Sequence, residues 1–598
     1  MESSTTARRA IDASSIAEAF RITAAQRPDQ VFLRTKEDEV SLTFAASLTR
    51  IDAIAGGLVG LGVAKGDAVA LLIGNRPEFA LVDLAVTMTG ATPFSIYMQY
   101  TPEQIAFVVS DAGARVLVCE QQFLAGVLEA RKELPELAHI VVIDEDAPEG
   151  VTALADVEGA DPGWDAEASV AGLGLDDVLT LIYTSGTTGP PKGVQLSHRN
   201  LLAATKAVDA IVQFPDGARV ISWLPSAHIA ERAAHHYLPI VYGMTVTSCP
   251  NAKEVLAYVA AVRPSWFFAV PRIWEKLKSG LEAMMAGQPD EQREQAQAAI
   301  AASVQKVKLE QAGQPVPEEL AAAVARAEEA LFSKLRAQLG FDQIEAVNVG
   351  AAPTPPEVLE FFHAIGIPVA ELWGMSETCG AGCVNPPDRI KIGTVGPPSP
   401  GVEVKLADDG ELLMKSEVVM LGYRNLPEKT AEAIDADGWL HTGDIATIDD
   451  DGYVTLVDRK KEIIINAAGK NMSPANIEST VKSSSSLIGQ ACVIGDRRSY
   501  NTALVVLDAD FAPAYAAKAG IAGTTLEELA TDERIRAAVQ EGIDGANAKL
   551  ARVEQIKKFE IVAGDWLPGG DELTPTMKLK RKPIAEKYSA EIEAMYAG

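Results

Sequence analysis

Short apolar runs alternate with helical patterns through the first quarter of the chain. Residues 68–74 (AVALLIG), 114–119 (ARVLVC) and 139–144 (HIVVID) are brief, rich in β-branched residues and nearly continuous in apolar character. Such runs read as strands buried on both faces. Residues 102–111 and 123–134, which lie between them, carry helical periodicity. The alternation predicts α/β architecture with a largely parallel sheet.

A chain of 598 residues exceeds what one core holds, because single domains stop growing near ~250–300 residues. From about 282 to 340 the composition turns to Ala, Glu and Gln with helical periodicity, broken at 313–317. This predicts a two-helix insertion on the surface. After Gly393, short strands separated by Gly and Asp turns predict a compact β-rich subdomain that finishes the large domain. A strand at 503–508 and helical stretches at 526–550 and 585–595 predict a small α+β unit. The expected division is a large N-terminal domain over 1–460 and a small mobile C-terminal domain over 461–598.

Charge and cysteine usage narrow the class. A formal net charge of -29 argues against a nucleic-acid partner, whose binding is built from Lys and Arg contacts to phosphate. Five scattered cysteines do not make a disulfide framework, and the expected setting is reducing and cytoplasmic. Cys379 and Cys383 lack a second pair at zinc-ligand spacing. Arg8 and Arg9 are not followed by an apolar segment, so no leader is expected. Residues 79–98 are apolar but contain Asp83 and fall short of a membrane span. Peripheral contact at the inner membrane face and a homodimer stay open.

The densest chemical signal is 181–198, LIYTSGTTGPPKGVQLSH, an apolar run leading into Ser, Thr and Gly. Backbone N–H groups and hydroxyls in such a loop suit phosphate oxygens, and Lys192 adds positive charge. Pro191 and Gly193 flank that lysine, so the spacing of a P-loop ATPase is absent.

Residues 184–193, TSGTTGPPKG, resemble the signature loop of the adenylate-forming family, which includes acyl-CoA synthetases, beetle luciferases and nonribosomal-peptide adenylation domains. The resemblance implies that Thr184, Ser185, Gly186, Thr187, Thr188, Gly189 and Lys192 hold the phosphates of ATP. Residues 350–353 (GAAP) and 371–378 (ELWGMSET) resemble the family's nucleotide-base and metal segments. They imply adenine contacts from Ala351, Ala352, Pro353, Trp373, Gly374 and Ser376, and Mg2+ held by Glu377 and Thr184. The family usually has Tyr where Trp373 stands and Thr where Ser376 stands. Residues 437–444 (DGWLHTGD) resemble the segment whose last Asp, here Asp444, takes the ribose hydroxyls. Residues 458–461 (DRKK) resemble the domain junction, with Arg459 reaching ribose and phosphate and Lys461 at the hinge. Residues 573–581 (LTPTMKLKR) resemble the loop that carries the family's catalytic lysine, which gives that role to Lys578, with Lys580 as the alternative.

ATP and CoA are then co-substrates and Mg2+ the cofactor. Lys578 and Glu377 would serve formation of an acyl-adenylate, after which the small domain rotates about Lys461 to admit the CoA thiol. Residues 466–478 resemble the post-hinge stretch, with Gly469 where pantetheine passes and Lys470 near the CoA phosphates.

Residues 223–232 (WLPSAHIAER) and 266–277 (WFFAVPRIWEKL) resemble the long-chain members, as does the helical insertion. Trp223, His228 and Trp266 are the expected lining or gate of a hydrophobic tunnel. Over about 42–582 the resemblance implies a bacterial long-chain fatty acid:CoA ligase. A fatty acyl-AMP ligase that loads a carrier protein is the nearest alternative, disfavoured by the lack of an obvious extra segment. A non-catalytic fatty-acid binding or uptake protein is disfavoured by the joint presence of Glu377, Asp444 and Lys578. Nothing in the sequence points to the oxygen chemistry of a luciferase.

Overall fold

The computed structural model describes residues 9–144, 146–159, 161, 163–184, 190–467, 470–523 and 525–597. The expected α/β architecture is present: a large N-terminal part built on parallel and mixed sheets, and a smaller C-terminal domain.

The main sheet has eight strands. Its centre is parallel: Ala68–Leu72 lies between Thr92–Ser95 and Val116–Cys119, and His139–Val142 continues outward. Helices such as Pro102–Ala112 connect these strands. That helix is fixed at its start by a reciprocal Thr101–Gln104 capping box and ended by Gly113 in the left-handed conformation. Every residue of Ala68–Leu72 is buried, which is why its sequence shows no polar alternation. On the other flank, Val178–Thr184 joins the parallel set and pairs antiparallel with Lys192–Ser197, which in turn pairs with the short strand Gly422–Tyr423.

Two further sheets are largely parallel. Arg219–Ser222, Thr245–Ser248 and Val31–Arg34 form one, and Trp266–Ala269, Ala346–Val349 and Val369–Trp373 form the other. The Ala/Glu/Gln-rich stretch is helical, with Asp290–Gln311 and Glu318–Ala327 separated by a turn. The second helix runs through a wide turn at Glu328–Phe332 into Ser333–Leu339. The segment after Gly393 forms four antiparallel strands, ending with the pair Leu440–Ile448 and Val454–Arg459.

Beyond this pair a separate apolar core forms around Ile477, Val481, Val505, Ile535 and Val539. Its sheet is Ile488–Ile494, Asn501–Leu507 and Ile556–Ile561. Among the described residues no helix is long and apolar enough to cross a membrane.

Candidate active site

The hairpin Leu440–Ile448/Val454–Arg459 sets Asp444 directly opposite Arg459. Arg459 Nε meets Asp444 Oδ1 at 2.8 Å, and the indole N–H of Trp373 donates to Asp444 Oδ2 at 2.8 Å. Burial pushes the Asp444 carboxyl above its ordinary pKa, while Arg459 and then the Trp373 hydrogen bond hold it down.

Trp373 ends strand Val369–Trp373, and the chain then folds tightly. A Cβ at Gly374 would lie 2.1 Å from the carbonyl oxygen of Gly380, so no side chain fits there. One short turn, Ser376–Thr378, follows and places Glu377. Glu377 is buried and its Oε1 accepts from the Tyr423 hydroxyl at 2.7 Å. The Lys192 ammonium stands 4.0 Å above the Tyr423 ring. Burial lowers the Lys192 pKa, and the charge of Glu377 acts in the opposite sense.

Thr184 closes strand Val178–Thr184 and is in register with Lys192; its hydroxyl donates to the Lys192 carbonyl at 3.4 Å. Ser185, Gly186, Thr187, Thr188 and Gly189 lie outside the described residues, bracketed by these two strand ends.

The C-terminal domain delivers Lys578 to the same cleft. Water reaches the side chain, yet protein atoms crowd it closely. This crowding lowers its pKa, with Arg459 adding to the effect, while Asp444, Glu377 and Glu462 pull the other way. His228 lies within reach of that charge. Burial first and Lys578 second push the His228 pKa down to about 4, so it is neutral at pH 7. Its Nδ1 accepts from the Ala230 N–H at 3.1 Å.

The structure thus gathers Lys578, Asp444, Arg459, Glu377, Trp373, Lys192 and His228. Ala351, Ala352 and Pro353 are exposed just after strand Ala346–Val349, with Ala351 at φ +70°. Ser376 begins the turn that carries Glu377. Lys461 is exposed in the turn after Arg459. Gly469 lies outside the described residues; exposed Lys470 donates its N–H to Asn466 Oδ1 at 3.0 Å. Trp223 and Trp266 are buried. Trp223 stacks on Phe267 with a centroid separation of 6.2 Å and donates to the Phe268 carbonyl, whereas Trp266 donates to Asn348 Oδ1 at 2.7 Å.

Sequence reasoning passed over Tyr423, which joins Glu377 to Lys192. A two-residue strand has no periodicity to announce it, and the pairing with Lys192–Ser197 appears only in the fold.

Residues 20–424 match the AMP-binding enzyme family, and residues 461–598 match the AMP-binding enzyme C-terminal domain. A Mycobacterium tuberculosis protein with the provisional name fatty-acid–CoA ligase FadD11 is 50% identical over 452 residues, covering 75% of this chain and 79% of that protein. The long-chain-fatty-acid–CoA ligase FadD15 of the same species is 35% identical over 583 residues, 95% of each chain. The long-chain-fatty-acid–CoA ligase ACSBG2 of Gallus gallus is 30% identical over 620 residues, covering 97% of this chain and 81% of that one. Among solved structures, the anthranilate CoA ligase AuaEII in complex with anthranoyl-AMP superimposes with a TM-score of 0.74 at 21% identity, over 98% of this chain and 100% of that one. At that identity the likeness speaks for the fold. Together the two domain matches and these relatives establish that the chain belongs to the AMP-binding, adenylate-forming enzymes.

Proposed function

We propose that this chain is an AMP-forming long-chain fatty acid:CoA ligase. The observation that carries the reading is that Lys578, from the C-terminal domain, stands near enough for its charge to act on Asp444, Glu377 and His228 of the N-terminal part. The acid class rests on the relatives named as long-chain-fatty-acid–CoA ligases.

In the first half-reaction a carboxylate oxygen of the fatty acid attacks the α-phosphorus of ATP. An O–P bond forms, the α,β-bridging bond breaks, and pyrophosphate leaves. Two anions are pressed together, so a fixed positive charge lowers the barrier. Lys578 is suited to bridge the carboxylate and the α-phosphate, while Thr184, Lys192 and the loop between them hold the departing phosphates. Asp444 and Arg459 would receive the ribose.

The residues present fit Mg2+. Glu377 commits one oxygen to Tyr423 and leaves the other for an ion that prefers one or two carboxylates plus substrate phosphates. Bound there, Mg2+ supplies charge neutralisation on the phosphate oxygens.

In the second half-reaction the CoA thiolate attacks the acyl carbon, AMP departs, and the thiol proton passes to solvent. We place the pivot between domains 1–460 and 461–598 at Lys461, the CoA passage at Gly469 and Lys470, and the acyl chain between the segments of Trp223, His228 and Trp266.

The test is AMP and pyrophosphate release from Mg-ATP with fatty acids from acetate to long saturated chains, with and without CoA, in wild type and Lys578→Ala. Release that requires CoA, peaks at long chains and collapses in the variant is expected. Acyl-adenylate accumulating without need of CoA would instead mark a ligase that loads a carrier protein.

A further inference from the structure

Lys578 sits on a tightly turned loop. Met577, immediately before it, has φ +65°, a region that side chains other than glycine seldom occupy. The loop closes on itself: Thr574 N–H donates to the Lys578 carbonyl at 2.8 Å, and Lys578 N–H donates to Thr574 Oγ1 at 3.1 Å. These bonds shape the loop, and buried Leu573 with Leu579 packed against the same cluster anchors its flanks in the C-terminal domain; what none of these contacts supplies is a tie to the segment after the hinge.

Three residues further on, Arg581 supplies that tie. Its Nη1 and Nη2 donate to Glu478 Oε1 and Oε2 at 2.6 and 2.9 Å, and its Nε donates to Glu462 Oε2 at 3.3 Å. Glu478 is buried on helix Pro474–Ser484, and its Oε1 also accepts the Val493 N–H at 2.8 Å. One carboxylate therefore fixes the guanidinium to the C-terminal core. The other, Glu462, is the residue next to Lys461.

We propose that Arg581 is a positioning residue for acyl-adenylate formation, binding the Lys578 loop to the residue that follows the hinge and so setting where the ammonium enters the cleft. The proposal rests on the roles given above to Lys578 and Lys461. A planar fork held at both ends by carboxylates fixes direction as well as distance, which a lysine cannot reproduce. Only two residues separate Lys578 from Arg581, so a backbone shift at Arg581 is passed on to the root of the lysine side chain. A displacement of ~1 Å at a reacting centre can cost about 10²-fold in rate.

A residue that merely holds the C-terminal domain together would damage both half-reactions, because that domain serves both. A residue that aims Lys578 damages only the first.

The experiment uses the full-length protein as wild type, Arg581→Lys, Glu462→Gln and Lys578→Ala. Pyrophosphate release with palmitate and Mg-ATP is measured separately from thioester formation starting with synthetic palmitoyl-adenylate and CoA, and Tm is recorded for each variant. Arg581→Lys is expected to lose about 10²-fold in the first assay while staying within about twofold of wild type in the second. Glu462→Gln is expected to lose less, in the same direction, with Tm unchanged. Equal losses in both assays, or no loss in the first, overturn the proposal. If Arg581→Lys fails to fold, the half-exposed Glu462 decides alone, since it lies outside the domain core. Full pyrophosphate release in Lys578→Ala would show that the reading of Lys578 itself has failed, and the Arg581 proposal falls with it.

Discussion

Asp444 and Arg459 face each other across an antiparallel hairpin, and the guanidinium Nε reaches the carboxylate Oδ1 at 2.8 Å. The other carboxylate oxygen is held by the Trp373 indole. Both donors orient a buried acceptor toward the cleft, and a ribose would add its hydroxyls to this arrangement. Hydrogen bonds to a charged group are worth about 1.5–3 kcal/mol. Asp444→Asn should therefore raise the KM for ATP roughly 10- to 100-fold, with a smaller change in the KM for the fatty acid. An ATP titration that leaves KM unchanged would remove Asp444 from the nucleotide site.

Tyr423 bridges two groups of opposite charge, with its hydroxyl on Glu377 and its ring under Lys192. Tyr423→Phe keeps the ring and deletes the hydrogen bond, so its effect reports on Glu377 alone. Loss of a bond to a charged group, worth about 1.5–3 kcal/mol, should raise the half-saturating Mg2+ concentration by roughly 10- to 100-fold in the pyrophosphate assay. No change in the Mg2+ requirement would separate Glu377 from the metal.

The fold was legible where burial is continuous and illegible where contacts are long-range. The parallel strands could be read because Ala68–Leu72 and Val116–Cys119 are buried throughout. The helical reading at 526–550 divides into Leu526–Ala530 and Glu533–Lys549, because the Asp532 carboxylate accepts from the Arg534 and Ile535 N–H groups and starts a second helix. The reading at 585–595 likewise divides, at Tyr588, into Arg581–Lys587 and Ser589–Tyr596. Within the site, Asp444 and Lys578 emerged from motif order. Residues far apart in sequence stayed hidden, such as Arg232 on Asp83 and Arg581 on Glu478. Their partners are chosen by sheet and helix packing that no local pattern encodes.

In the role proposed for it, Lys578 must be charged to join two anions. Crowding and Arg459 lower its pKa below the ordinary lysine value of 10.5, so the charged fraction falls at lower pH than for a free lysine. The kcat/KM for adenylate formation reports the free enzyme and should show an alkaline limb below 10.5. Lys578→Arg should remove that limb even where it lowers the rate, because a guanidinium stays charged. His228, pushed down to about 4, is already neutral there and does not contribute. An alkaline limb identical in Lys578→Arg would assign it to another group.

Glu371 lies at the head of the segment that carries Trp373 and Glu377. Burial lifts its carboxyl from 4.5 to about 7, against the hydrogen bonds donated by the Gly393 and Thr354 backbones. A group raised on folding contributes stability that is full below its unfolded value and is lost as pH rises through the folded one. Wild type should therefore lose stability between about pH 4.5 and about pH 7 relative to Glu371→Gln, by an amount on the order of 3 kcal/mol. Denaturant melts at both pH values test this; parallel pH dependences in the two proteins would place the Glu371 carboxyl in water.

Ion pairs hold the C-terminal domain in the arrangement that brings Lys578 to the cleft. Arg272 pairs with Asp508, Lys276 with Asp510 at 2.7 Å, and Lys549 with Glu357. Arg272 and Lys276 project from helix Pro271–Ala286 of the N-terminal part, whereas Asp508 and Asp510 follow strand Asn501–Leu507 of the C-terminal sheet. The proposed rotation about Lys461 would move one set away from the other, and on that reading these pairs favour adenylate formation and oppose the thioester step. Partly exposed pairs are worth about 0.2–1 kcal/mol each. Arg272→Ala with Lys276→Ala should lower the ratio of adenylation rate to thioester rate by roughly 2- to 30-fold, with the adenylation rate carrying the loss. Added salt should act on wild type in the same direction and less on the double variant, whose pairs are already gone. If both half-reactions slow together, the pairs stabilise the fold without distinguishing its two arrangements.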